Sequence, residues 1–323
     1  MKAVLIGSGW RSAFYLRIAS ALSSLLEIVS VYSSSEERVK EMRKKGLNCL
    51  SSLSGALSFT HDAVIVSTGK EDFYSIMLEL ERRGEFILSE TSFLSLGERE
   101  LKSLENTHGA IMEQYPYDPI FAAVLSATSS LGSIDQLMIS GLHNHHSAAL
   151  ARIVFSLKDE KPDEVLSLDF PSSIVKTGDR SGIVNGKGKE DYVRRLRILR
   201  FGKRLFIHDF SSNQYHSYLM KKSVEIRGEK GTLTFDGLKV TDEDGYPLFL
   251  PFSFHRDIST WNGSMTLSHI NLSGKRVYTN PFYPVNLNDD EIGIATIIQN
   301  IDSGLPYRSI REGIEDARLG KLL

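Results

Sequence analysis

Gly7, Gly9 and Ser12 stand at the spacing of a Gly-x-Gly-x-x-small turn, directly after the apolar run 3–6. A turn of that kind cradles phosphate. Gly7 permits the sharp bend out of a strand, Gly9 lets the backbone approach a pyrophosphate, and a small third residue lets helix and strand pack closely. Helix-forming residues Ala13-Phe14-Tyr15-Leu16 follow at once. The anion would rest on free N–H groups at the positive end of that helix, so no lysine is needed. Ser12 in place of a third glycine is tolerated but weakens the fingerprint. The turn predicts a dinucleotide site formed by Gly7, Ser8, Gly9, Trp10, Arg11 and Ser12, with Arg11 as a pyrophosphate or ribose contact. The plain alternative is an ordinary glycine turn between strand and helix.

Other residues extend the site. Ser33, Ser34 and Arg38 follow the strand 27–32, where NAD enzymes place an acidic residue, about 20 positions past the glycines, on the ribose 2′-hydroxyl. Serines and an arginine suit a 2′-phosphate, while Glu36 and Glu37 argue the other way. The sequence leans mildly to NADP and leaves NAD open. Ser67, Thr68 and Gly69 leave the buried strand 63–66, and Lys70 either reaches the cofactor or is a solvated helix-start lysine. Glu90 and Thr91 leave the next strand, and Gln114 ends a sixth. Just beyond it, Tyr115 and Tyr117 bring phenols that can donate a proton to a carbonyl or imine; structurally they would cap the seam between domains. His143 and His146, three apart at a helix start, face the same way. Imidazole, with an ordinary pKa of about 6.5, gives or accepts a proton near neutrality. His146 is the first choice as acid or base and His143 the second, against a plain buried helix-start histidine. With His145 they also suggest a metal, but no carboxylate or thiol stands nearby in sequence to join them, and none is expected.

These residues need elements to position them. The first third alternates strands (3–6, 27–32, 48–50, 63–66, 86–88, 110–114) with helical stretches such as 36–45 and 71–83. Repeated βα units give an α/β domain with a doubly wound parallel sheet, whose ligands lie outside the carboxyl ends of its strands. From about Asp118 the rhythm changes. Helices at 119–128 and 143–157 flank a strand at 136–140. Long strands then follow at 165–170, 194–200, 204–209, 223–227 and 231–235, and helices at 290–303 and from 309 close the chain. That pattern implies an α+β domain with a large, mostly antiparallel open sheet. Residues 179–190, rich in Gly, Lys and Asp, are expected to form a mobile loop. The expected boundaries are 1–118 and 119–323, with the C-terminal helix packing back on the first domain.

Composition narrows the class. A length of 323 residues suits two domains. A formal net charge of −2 argues against a nucleic-acid partner, which asks for a basic excess. The lone Cys49 excludes an intrachain disulfide and suits a reducing compartment. No apolar run approaches the roughly 20 residues that cross a bilayer, and the first strand starts too early for a signal segment. The expectation is a soluble cytoplasmic protein with no membrane partner. On that reading Asn262-Gly-Ser and Asn271-Leu-Ser match the glycosylation pattern by chance.

Over nearly its whole length the chain resembles the glucose–fructose oxidoreductase / inositol dehydrogenase (Gfo/Idh/MocA) family. The resemblance rests on the Gly7-Ser8-Gly9 turn, the Ser67-Thr68 exit, Ser89-Glu90-Thr91-Ser92-Phe93, the hairpin 224–233 and the region 297–323. It implies a Rossmann domain that binds NAD or NADP, then a domain whose open sheet walls the substrate site and commonly forms a homodimer or homotetramer. It also implies hydride transfer between nicotinamide and a sugar, polyol or related carbonyl compound. Two departures bear on that chemistry. The family's Glu-Lys-Pro turn reads Glu90-Thr91-Ser92, and the Asp four residues before His146 is Leu142. The usual base for a hydroxyl proton is therefore missing. The short passage from strand 136–140 into a helix resembles thiazolinyl imide reductases, which reduce a cyclic C=N bond. A non-catalytic, regulatory dinucleotide-binding protein is the third reading.

Overall fold

The computed structural model describes every residue except 180, 181, 186, 187, 212, 213, 215, 221 and 259–264. Asn262-Gly-Ser and part of the segment 179–190 lie outside the described residues. The chain divides into two compact units: residues 1–119 with 256–268 and 280–315, and residues 120–255 with 269–279 and 316–323.

The first unit begins with β1 (Lys2–Ile6), α1 (Ser12–Ala21), β2 (Glu27–Tyr32), α2 (Glu36–Lys44), β3 (Cys49–Leu50) and α3 (Leu53–Ala56). It continues with β4 (Ala63–Val66), α4 (Lys70–Arg82), β5 (Ile87–Ser89), α5 (Glu98–Ser103) and β6 (Gly109–Ile111). The six strands are parallel in the order β3-β2-β1-β4-β5-β6. That order reverses direction between β1 and β4, the switch point at which doubly wound sheets bind ligands. The central strands are apolar on both faces because helices cover both: Val4, Leu5, Val64 and Ile65 are fully buried. Local signals agree with the elements. Ser35 caps α2 through a bond from the Arg38 N–H, with Glu36 and Glu37 in its first turn and Arg43 and Lys44 in its last. β6 ends at Ile111, earlier than the apolar pattern to Gln114 suggests, because 115–117 coil into a 3₁₀ turn around Pro116.

The second unit is built on α6 (Pro119–Ala127), β7 (Ile134–Ser140), α7 (Asn144–Val154), β8 (Glu164–Val175), β9 (Gly178–Asp179), β10 (Gly182–Ile183), β11 (Lys189–Phe201) and β12 (Arg204–Phe210). Then come β13 (Ser223–Gly228), β14 (Gly231–Thr234), β15 (Gly237–Thr241), β16 (Pro247–Ile258), β17 (Met265–Leu272) and β18 (Lys275–Thr279). The chain closes with α8 (Asp289–Asp302), which belongs to the first unit, and α9 (Ile310–Gly320), whose residues divide between the two units. Ten strands form one sheet in the order β18-β17-β16-β15-β14-β13-β7-β12-β11-β8, and β7 with β12 is its parallel pair among the registers described. Within 179–190 the described residues pair Gly182 with Asp179 in β9 and β10, and β11 begins at Lys189. The strands β15 to β18 lie beyond the strands expected from the sequence, which end at 235; in β16 the alternation is interrupted by Pro247 and Pro251.

Register decides which face is core. Leu199, Phe206, Leu137, Ile226 and Leu233 align across the sheet and are buried. The opposite face carries the row Leu168, Leu196 and Asp209, where Leu168 remains 46% exposed. A side-chain period of two makes that division all or none. Among the described residues no helix is long and apolar enough to cross a membrane.

Candidate functional site

In the first unit, the predicted cradle sits at the carboxyl end of β1. Gly7 has φ +118°, and a Cβ there would lie 2.2 Å from the Ser67 carbonyl oxygen, so no side chain fits. Gly9 is the opposite case: nothing lies within 4 Å of a Cβ built on it, leaving its backbone open to a ligand. The N-terminus of α1 has no side-chain cap and no acidic residue in its first turn. A free positive helix end of that kind is what an anion uses. Ser12 Oγ donates to Ser67 Oγ at 3.3 Å, so the third small position ties β1 to β4. Thr68 Oγ1 is buried and has no hydrogen-bond partner among the described residues, an orphan beside the cradle. The residues present therefore fit a bound dinucleotide.

Beside it lies a polar network that the sequence did not reveal. Arg11 Nε donates to Glu90 Oε1 at 2.9 Å and its Nη2 to Gln114 Oε1 at 2.8 Å. Tyr15 donates its phenol to the same Glu90 oxygen. Gln114 Nε2 donates to Asp290 Oδ1 at 3.1 Å. Burial is the largest single effect and opposes the Arg11 charge, but Glu90, Tyr15 and Asp290 together outweigh it and lift the guanidinium above the ordinary arginine value. Burial, then Glu90, pushes the Tyr15 phenol well above its ordinary value. An ion pair from Arg17 to Glu291, which also caps α8 with Asn288, fixes α1 against α8. No sequence signal couples positions 11, 90, 114 and 290, because the sheet order brings the first three together and the packing of α8 adds the fourth.

The remaining predicted residues of this unit fall in distinct settings. Ser8 and Ser33 share a hydroxyl–hydroxyl bond of 2.8 Å, while Ser34 is exposed and Arg38 pairs with Glu41 at 2.7 Å. Lys70 is exposed at the start of α4, where Gly69 stands at the N-cap. Thr91 is half-buried and heads a 3₁₀ turn. Trp10 is exposed, with its ring edge on Phe14. Tyr115 is buried. Burial, with Glu312 and against Arg308, pushes the Tyr117 phenol above its ordinary value.

In the second unit, His143 is the N-cap residue of α7 and His146 is buried in its first turn. Their ring centroids are 6.4 Å apart, whereas His145 and His146 approach to 3.8 Å. Beneath them His208, on β12, is buried and donates Nε2–H to the Leu142 carbonyl at 3.0 Å; Nδ1 has no hydrogen-bond partner among the described residues. Burial holds its pKa down to about 4. On the other sheet face Arg194 donates through Nε at 2.9 Å and through Nη2 to the buried Asp209, beside a cavity of about 180 Å³ also lined by Ser140, Tyr192 and Gln214. The β11–β12 hairpin makes that pair, which periodicity alone does not specify.

The parallel sheet with its glycine cradle and the ten-stranded open sheet define the class of fold: the two-part fold that the family resemblance implies. Among solved structures the chain is similar to an oxidoreductase from Agrobacterium radiobacter in complex with NAD⁺, L-tartaric acid and magnesium, with TM-score 0.64, 15% identity, and 99% of this chain and 94% of that one covered. It is similar to the WlbA dehydrogenase from Bordetella pertussis in complex with NADH and UDP-GlcNAcA, with TM-score 0.61, 15% identity, and 100% and 94% covered. A myo-inositol dehydrogenase from Corynebacterium glutamicum gives TM-score 0.60, 13% identity, and 99% and 94% covered. No protein-family model and no curated protein sequence matches the chain.

Proposed function

We propose that this protein is a nicotinamide-dependent oxidoreductase acting on a polar small molecule of the sugar, polyol or related carbonyl class. The observation that carries the reading is the Gly7–Gly9 cradle, closed to side chains at Gly7 and open at Gly9, under an uncapped helix end. Structures of the same fold hold NAD⁺ or NADH. Gly7, Ser8, Gly9, Ser12, Ser67 and Thr68 would hold the dinucleotide. The nicotinamide, when bound, gives or accepts the hydride. The open choice between NAD and NADP falls toward NAD at the end of β2. Ser33 is engaged by Ser8, Arg38 is neutralised by Glu41, and Glu36 and Glu37 would repel a 2′-phosphate.

The first domain would bind the cofactor, and the second would bring the substrate and the acid or base. His146 is assigned the proton transfer, with His143 behind it. Tyr117 keeps its proton at neutral pH, so it serves as a hydrogen-bond donor and not as a base. That property also favours a second reading, reduction of a cyclic C=N bond, which asks for a donor at the substrate nitrogen. The exposed apolar row on the open face of the ten-stranded sheet supports a homodimer through that face.

Titration with NADH and NADPH, followed by nicotinamide fluorescence, tests the reading. Binding of NADH, then turnover with a sugar, polyol or cyclic imine, is expected. His146→Ala should lower turnover far more than cofactor affinity. Tight binding with no turnover on any of these would favour a regulatory protein, and binding of neither cofactor would end the proposal.

A further inference from the structure

Arg11 leaves the glycine turn of β1, yet its guanidinium lies at the tops of β5 and β6, on Glu90 and Gln114. It has therefore crossed the switch point of the sheet. In a sheet of this order one mononucleotide half lies on the β1–β3 side and the other over β4–β6. The adenosine half belongs to the end of β2, leaving the nicotinamide half over β4–β6. Nε and Nη2 are committed, whereas Nη1 has no hydrogen-bond partner among the described residues. The side chain keeps 16% exposure, and the guanidinium carbon lies 5.0 Å from the Phe14 ring centre. Its planar fork is thus fixed on two edges, with the third edge free.

We infer that Arg11 orients the nicotinamide half of the dinucleotide, its free Nη1 edge donating to the oxygen of the nicotinamide amide. The inference rests on the dinucleotide reading above and replaces the pyrophosphate contact expected from the sequence. Charge supports the choice. Glu90 cancels the Arg11 charge, and Asp290, joined through Gln114, adds a negative one. Such a site suits a neutral amide or a cationic ring better than a phosphate. Thr91 carries no charge, and Arg11 brings a positive charge against Glu90. It cannot serve as an acid, since a guanidinium keeps its proton in proteins. Its role is geometric.

ADP-ribose, which lacks nicotinamide, separates the two halves of the site. Wild type, Arg11→Met and Arg11→Lys are titrated with ADP-ribose by calorimetry and with NADH by fluorescence. Arg11→Met is expected to bind ADP-ribose within twofold of wild type, to bind NADH at least tenfold more weakly, and to lose the nicotinamide emission change. Arg11→Lys keeps the charge opposite Glu90, which guards against a folding defect, but it has no fork. It should show the same pattern with at least a threefold loss for NADH. Equal losses for both ligands in Arg11→Lys, or no loss for NADH in either variant, overturn the inference while leaving the dinucleotide reading standing. Failure of wild type to bind either ligand removes both.

Discussion

The Arg152 guanidinium meets the Asp316 carboxylate at 2.8 Å, with the two side chains only 9% and 5% exposed. Arg152 also donates to the Lys158 carbonyl at 2.9 Å, so one arginine joins α7, its following turn and the C-terminal end of α9. Removing one partner of a buried pair strands the other charge, which costs about 3–5 kcal/mol. Asp316→Ala should lose that much stability in urea unfolding. Arg152→Met combined with Asp316→Leu should recover most of it, because an apolar pair strands no charge.

The two glycines of the cradle separate folding from binding. Gly7→Ala places a methyl group 2.2 Å from a backbone oxygen at φ +118°, so thermal unfolding should fall by several degrees or the chain should fail to fold. Gly9→Ala meets no protein atom and should leave stability within about 1 kcal/mol of wild type. Its methyl group instead occupies ligand space, and NADH titration should show the loss.

His208 gives stability a defined pH dependence. Its folded pKa is lowered from 6.5 to about 4, by burial first, against the opposing help of the Leu142 hydrogen bond and Asp209. The unfolded chain therefore takes up a proton below pH 6.5 that the folded chain refuses until about pH 4. Stability present above pH 6.5 should drain away between those values, by about 3 kcal/mol in all. Urea unfolding at pH 7 and pH 4.5 measures the loss. His208→Gln should lack this part of it, and an identical slope in wild type and variant would count against the assignment.

The open face of the ten-stranded sheet predicts the assembly. Leu166, Leu168 and Phe170 are 52%, 46% and 42% exposed along β8. Sedimentation should show wild type as a dimer. Leu168→Glu with Phe170→Glu should give a monomer with unchanged far-ultraviolet circular dichroism. A wild-type monomer would remove the sheet-face dimer.

Much of the fold was legible because it is written locally. The apolar runs at 3–6 and 63–66, the turn glycines and the acid-then-base pattern of α2 each act over a few residues, so they could be read in order. β16 was harder to read, because Pro247 and Pro251 interrupt the alternation that marks a strand. The histidines at 143–146 were visible as a cluster, but His208 beneath them lies 62 positions beyond His146 and carries no local signal.

The sequence by itself determined that a glycine cradle follows the first strand, that a βα half precedes a strand-rich half, and that His146 opens a helix. Only the tertiary structure decided that Arg11 bonds to Glu90 and Gln114, that Arg194 grips Asp209, and which sheet face stays open. The reason is physical. Backbone turns and helix caps depend on neighbours in the chain, whereas buried polar partners are chosen by strand order and register, which bring distant residues within hydrogen-bond reach.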